Sequence, residues 1–271
     1  MKITTIIPIH KFDDTVSSYL NKSFNSIINQ VGEDNIPKII IVAPQEVLNE
    51  IIPKMFAEAH PNVSFVNNEG KTDYQSQVNL AVEHVTTDYF SVLEFDDEYA
   101  PNYINVAKKY VETYSNIDVF LSIIIEKTEK NENVKLTNET VWAQQFVGEN
   151  GEMGYLNINA LKQYTDFKLS GALIKKSTFD GLGKYKSNIK LTFMYEFLLR
   201  ALNNGHKIFV IPKICYVHLV NRVDSLFQTY LKEMPINERK FWFETATKES
   251  NFTNDRIIDT SKMQKIIISE E

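Results

Sequence analysis

Asp96 and Asp97 stand side by side just after the apolar run Tyr89-Phe90-Ser91-Val92-Leu93, separated from it by Glu94-Phe95. Paired carboxylates at the tip of a strand can hold a divalent cation, since Mg²⁺ and Mn²⁺ both favour oxygen ligands. A plainer task fits the same residues. With Glu98 they would place negative charge ahead of a helix starting near Pro101. Glu196 precedes Arg200 by four residues, the spacing of a surface ion pair on one helix face, and it is also an acid free to take a proton. His218 lies between Val217 and Leu219, where an imidazole is either a packed side chain or a metal ligand. Cys215, the single cysteine, sits in the apolar run 211–217 and reads as packing; no intramolecular disulfide can form.

These residues need a frame. The first half of the chain alternates apolar β-branched runs (4–7, 39–42, 63–66, 89–93) with stretches of helical periodicity (14–30, 47–55, 73–85). Strands with no in/out alternation, separated by helices, imply a mostly parallel sheet covered on both faces. Ligands of such sheets lie outside the carboxyl ends of the strands, which here are Pro8 to Lys11, Ala43 to Gln45, Asn67 to Gly70 and Glu94 to Asp97. Farther on, 119–125 and 169–174 read as strands, and the polar stretch 127–138 as an exposed hairpin or loop. Residues 142–169 read only as partly helical. Residues 192–203 form a helix closed by Gly205, and 208–211 a strand closed by Pro212. From about Ser225 the chain is helical and amphipathic, with Phe227, Tyr230, Leu231, Phe241, Trp242 and Phe243 as anchors.

Composition narrows the function classes. A net charge of −6 argues against a protein that grips phosphate backbones along its surface. No apolar stretch reaches the ~20 residues that span a membrane. With Pro8 breaking any leader core and one cysteine, a soluble cytoplasmic protein is expected. At 271 residues, one α/β domain with an appendage is the expectation: residues 1–225, then a helical extension, 226–271, packed on it.

The order of the pieces resembles family-2 type glycosyltransferases, which have the GT-A fold. The pieces are Ile6-Ile7-Pro8-Ile9-His10, Asn68-Glu69-Gly70 before a helix carrying Asn79, and Glu94-Phe95-Asp96-Asp97 with Pro101. Then come Ser170-Gly171-Ala172, Leu182-Gly183-Lys184-Tyr185, the helix Tyr195 to Arg200, and Asn204-Gly205-His206. The resemblance implies a nucleotide-diphospho-sugar donor, a sugar acceptor and Mn²⁺ or Mg²⁺ that neutralises the leaving diphosphate. It implies metal binding at Asp97 and His218, with Arg222 suited to the diphosphate. It implies nucleotide contacts at Pro8, His10, Gln45, Asn68, Gly70, Asn79 and Asp96, and acceptor or sugar contacts at Ser170, Gly171 and Ala172.

Three positions depart from that pattern. Ala43-Pro44-Gln45-Glu46 lacks the aspartate that reads a base, leaving Gln45 for that role. Val78 replaces an arginine expected at the phosphates. Phe193-Met194 replaces an acidic pair whose aspartate is the general base. Glu196 is the nearest substitute, so Glu196 and Asp96 are the candidate catalytic carboxylates. Two functions stay open: a hexosyltransferase-like enzyme, or a catalytically degenerate GT-A module that binds a protein partner, with the aromatic segment around Trp242 as docking surface. A nucleotidyltransferase is disfavoured because Pro8 to Asp13 contains no glycine.

Overall fold

Apolar strands need cover on both sides, and helices supply it. The computed structural model describes residues 2–32, 36–56, 60–139, 154–163, 167–222 and 225–248. Strands β1 (Ile3–Pro8), β2 (Lys38–Ala43), β3 (Val63–Asn67) and β4 (Tyr89–Val92) pair in parallel in the order β3-β2-β1-β4. Successive residues of β1 feed two cores. Ile6 packs with Val78 and Phe197 on one face, and Ile7 with Leu20 and Ile27 on the other.

Helices α1 (Asp14–Ile28), α2 (Gln45–Met55) and α4 (Tyr103–Thr113) cover the second face. The first face carries α3 (Tyr74–Glu83), α5 (Ile158–Gln163), α6 (Lys176–Gly181) and α7 (Phe193–Asn203). Asp13 and Asp73 begin α1 and α3 by accepting from Val16 N and Ser76 N at 2.8 Å each, caps worth ~1 kcal/mol apiece.

The second half completes the sheet with β5 (Glu98–Tyr99), β6 (Val119–Lys127), β7 (Asn133–Thr137), β8 (Tyr155–Leu156), β9 (Leu173–Lys175) and β10 (Ile208–Leu219). Its main path is β3-β2-β1-β4-β9-β6-β10-β5. Strand β9 runs antiparallel to both β4 and β6, so the sheet is mixed. The polar stretch after β6 is a hairpin, with β7 antiparallel to β6. Of the segment 142–169, β8 and α5 are formed; 140–153 and 164–166 lie outside the described residues.

One expectation is corrected. Strand β10 does not stop at Pro212. It continues to Leu219 after register shifts at Ile211/Ile214 and Ile214/Tyr216. Proline lacks the N–H a ladder needs, and a bulge is where a sheet tolerates it. The far half of β10 brings Tyr216 and Val217 alongside Tyr99 and Glu98 of β5.

Helices α8 (Leu226–Glu233) and α9 (Ile236–Lys248) follow. Trp242 of α9 is 2% exposed and joins the core under α7, and Thr192 Oγ1 donates to its carbonyl at 3.1 Å. Tyr230 and Phe241 pack against the same core. The side chains of Phe227, Leu231 and Phe243, and all residues beyond 248, lie outside the description. Among the described residues no helix is long and apolar enough to cross a membrane.

Candidate active site

The chain leaves β4 through a turn, closed by Asp97 N donating to Glu94 O at 3.0 Å, and crosses to β5 on the far side of β9 and β6. That crossing sets Asp97 against β10. Asp97 is 1% exposed, and its carboxylate meets three groups of β10. Oδ2 accepts from the Tyr216 hydroxyl at 2.7 Å and lies 2.9 Å from His218 Nδ1, while Oδ1 accepts from Leu219 N at 2.8 Å. Tyr216 and His218 are two apart on a strand, so both present to one face.

The acidic pair therefore does not cap a helix. β5 intervenes, and Asn102 occupies the N-cap position of α4.

Glu94 completes the cluster. One ligand atom each from Glu94, Asp97 and His218 lie within 4.8 Å of one another. Glu94 Oε1 accepts from Ser170 Oγ at 2.9 Å, and Glu94 N donates to the Tyr216 hydroxyl oxygen at 3.2 Å. Burial, followed by the Asp97 charge, raises the Glu94 carboxyl above its usual range. Burial opposes charge on His218, but Asp97, by charge and hydrogen bond, and Glu94 outweigh it and lift the imidazole to about 9. Burial and the charges on Asp97 and Glu94 carry Asp96 to about 7, against the pull of Arg222.

Beside this cluster lies a second group. Arg222 Nε stands 2.9 Å from Asp96 Oδ2, off the line of a hydrogen bond. Its guanidinium lies 5.2 Å from the Phe95 ring centroid and 5.7 Å from that of Tyr19. The His10 ring lies 5.9 Å from Phe95 on the same side. Burial, then Lys11 and Arg222, lower its pKa, so it is neutral at pH 7. Pro8 is the buried last residue of β1.

The segment before β9 is tightly held. Gly171 N donates to Val92 O at 3.1 Å, the Tyr103 hydroxyl donates to Gly171 O at 2.9 Å, and Ala172 is 1% exposed. Gly171 has φ +66°, and a Cβ there would meet the Tyr216 ring at 2.3 Å. Gly171→Ala should lower the unfolding free energy by about 3 kcal/mol, as overpacking adds to left-handed strain. Urea unfolding checks this; an unchanged midpoint would refute the clash.

The remaining candidates are placed otherwise. Asn68 is fully buried, its Oδ1 accepting from Gly70 N at 3.0 Å, and its Nδ2 has no partner among the described residues. Gly70 holds φ +78° in that turn. Gln45 is exposed at the start of α2 and donates to Asn49 at 2.9 Å. Both ends of the Asn79 amide go to the Tyr185 backbone, at 2.8 and 3.0 Å, so it ties α3 to the 182–185 turn.

Glu196 and Arg200 do pair, but not on the surface. Their side chains are 0% and 3% exposed. Glu196 Oε1 and Oε2 accept from Arg200 Nε and Nη2 at 2.7 and 3.0 Å, and Arg200 also donates to Leu182 O and Lys184 O. The pair buttresses the turn that Asn79 holds from the other side. Glu196→Gln should cost about 3–5 kcal/mol, because it leaves a buried guanidinium uncompensated. A thermal unfolding midpoint within error of the wild type would contradict this.

The sequence reading missed Glu94 and Tyr216. Glu94 stood in view beside the pair. Tyr216 required β10 to be carried past Pro212, after which the period of two from His218 points to it.

A model of the family described as glycosyl transferase family 2 matches residues 4–179. The chain belongs to that family. It is a glycosyltransferase of the GT-A fold, and the matched span includes Glu94, Asp96, Asp97 and Ser170. Tyr216, His218 and Arg222 lie beyond the match and reach the site through β10. An uncharacterized glycosyltransferase of Methanocaldococcus jannaschii is 24% identical over 231 residues, 79% of this chain and 70% of the relative.

Among solved structures, S. aureus TarS in complex with UDP-GlcNAc superposes with TM-score 0.60 at 15% identity. That match covers 84% of this family-2 chain and 61% of the TarS chain. TarS 1–349 superposes with TM-score 0.60 at 14% identity, covering 93% and 82% respectively. Against a longer TarS chain, this one spans 37% of the neighbour's length. At such identities the likeness shows the fold.

Proposed function

We propose that this glycosyltransferase moves a sugar from a nucleoside-diphosphate donor to an acceptor hydroxyl, with Mn²⁺ or Mg²⁺ held at Asp97. The observation that carries this reading is the convergence of Glu94, Asp97 and His218 at the carboxyl end of β4. Asp97 and His218 offer a hard oxygen and a borderline nitrogen, which suit Mn²⁺ well and Mg²⁺ through the oxygen, with donor phosphates supplying further oxygens and Glu94 left beside them to take a proton. A bound cation would neutralise charge growing on the leaving diphosphate. The UDP and UDP-GlcNAc complexes of the TarS neighbours support a donor of this class.

The chain's own groups divide the work. His10, Phe95 and Asp96 line the side nearest the tips of β1 and β4, where the base and ribose would lie. Arg222 is placed for the diphosphate once it turns from Asp96. On the opposite side Glu94, held by Ser170, is the carboxylate offered to the acceptor. The acceptor oxygen bonds to the anomeric carbon as its proton passes to Glu94, and the bond from that carbon to the diphosphate oxygen breaks. Glu196, locked by Arg200, takes no part in this scheme. We assign residues 1–225 to the catalytic domain and 226–271 to an extension, of which Trp242 packs into the core under α7. Cys215, whose thiol burial pushes up to about 12, is inert packing that suits a reducing cytoplasm.

Titration with UDP, GDP and other nucleoside diphosphates, with and without Mn²⁺, tests this. Ligand at 100 times its dissociation constant stabilises a fold by ~2.7 kcal/mol, so melting shifts report it. One nucleotide binding in a metal-dependent way is the expected result; none at millimolar concentration would end this reading. Nucleotide binding without donor turnover would favour a degenerate binding module, a reading supported by Met194, whose sulfur merely accepts from Leu169 N at 3.4 Å.

The His218 pKa gives a pH prediction. A cation taking the imidazole must displace its proton, and that proton is held until about pH 9. Apparent Mn²⁺ affinity should therefore rise about tenfold per pH unit from 7 to 9 and then level off. His218→Gln should flatten the slope, and a slope retained in that variant would count against His218 as a ligand.

A further inference from the structure

We propose that Lys168 selects the acceptor, and that the acceptor carries a phosphate or carboxylate close to the hydroxyl receiving the sugar. The inference rests on the donor reading above and adds to it the chemistry of the second substrate. Lys168 Nζ lies 2.6 Å from Glu126 Oε1. Glu126 is 4% exposed and sits in register with His218 across β6 and β10. The ammonium is thus held beside the cluster that contains His218, and a quarter of its side chain stays open to solvent.

The mounting is more elaborate than packing requires. The Asn138 side chain, 3% exposed and in left-handed backbone at φ +57°, accepts from Lys168 N at 2.9 Å and donates to Lys168 O at 2.9 Å. It also donates to Ser122 O at 3.0 Å, which fixes the Lys168 peptide to β6. The next residue, Leu169, donates to Met194 Sδ, and Ser170 donates to Glu94. Lys168 therefore stands at one end of a rigid stretch whose other end touches the proposed proton acceptor. A buried ion pair is weak support for a fold, since well-packed apolar groups serve as well or better. A fixed cation at a site rim is instead suited to an oxyanion.

The side chains around it favour the second substrate. The nucleotide side of the site is built from the tips of β1 and β4, with Arg222 and His10. Glu126 lies on β6, across β9 from β4, and Lys168 lies in the segment just before β9, held against β6 through Asn138. An anion arriving there comes with the acceptor.

Protein saturated with UDP and Mn²⁺ would be titrated with glucose, glucuronate and glucose 6-phosphate. At least one anionic sugar is expected to bind about tenfold more tightly than glucose, the scale of one charge-assisted hydrogen bond. Lys168→Met should erase that preference while leaving UDP affinity within about twofold, and Lys168→Arg should keep it. Because Lys168→Met deprives Glu126 of its close cation, the charge-neutral pair Glu126→Gln/Lys168→Met is the second variant and should behave alike. Equal binding of the three sugars, or a preference surviving in both variants, would overturn the proposal. A large loss of UDP affinity would overturn it too, placing the lysine on the donor diphosphate. UDP binding is read before any sugar is added, so failure of the donor reading is seen separately.

Discussion

Asp97→Asn should abolish metal-dependent nucleotide binding while leaving the protein folded. The substitution keeps an oxygen to accept from Leu219 N or Tyr216, so the loss falls on charge rather than shape. Cation stabilisation of a leaving diphosphate is worth several kcal/mol, so turnover should fall by at least about 10³-fold. The same change removes the carboxylate that raises His218. Its pKa should drop from about 9 towards the ordinary 6.5, since burial is then opposed by the Glu94 charge and no longer by Asp97. Imidazole NMR titration reads this without any substrate. If the pKa stays near 9 in the variant, Asp97 is not what holds the proton, and the geometry of the cluster is misjudged.

Glu94→Gln should separate chemistry from binding. The substituted side chain can still accept from Ser170 through its amide oxygen, so the 168–171 segment keeps its anchor. It cannot take a proton. Loss of a general base typically costs 10²–10⁴-fold in rate, so kcat should fall by about that range. UDP affinity in the presence of Mn²⁺ should weaken by less than about tenfold, since Asp97 and His218 remain. Wild-type turnover in this variant would move the base elsewhere. An equal collapse of binding and turnover would make Glu94 a metal ligand and not the proton acceptor.

The two halves of the chain were unequally legible in the sequence. Strands β1, β2 and β4 are mostly apolar because both faces are covered, while the edge strand β3 is partly open but keeps Val63, Phe65 and Val66. Composition alone therefore outlined them, and with them Asp96 and Asp97. The strand read at 169–174 is formed only at Leu173–Lys175, after a turn at Ser170-Gly171, and its antiparallel direction leaves no trace in so short a run. Strand β10 hid its second half behind Pro212, and with it Tyr216. The Glu196–Arg200 spacing was plain, but spacing cannot tell a solvated pair from one sealed beneath the 182–185 turn. Lys168 could not have been chosen in advance, because its partners Glu126 and Asn138 are far away in the chain and meet it only through the β6–β7 hairpin.

The two slips of register around Pro212 set a phase. Upstream of them β10 belongs to the cores; downstream it presents Tyr216 and His218 to Asp97. Strand side chains alternate, so removing Lys213 would reverse the orientation of everything after it. Val217 would then face the carboxylate, while both polar rings turned to the opposite side. The bulge thus works as an index mark between scaffold and chemistry. Point substitutions at Lys213 should be well tolerated there, whereas a single-residue deletion would silence the enzyme without touching any residue of its active site.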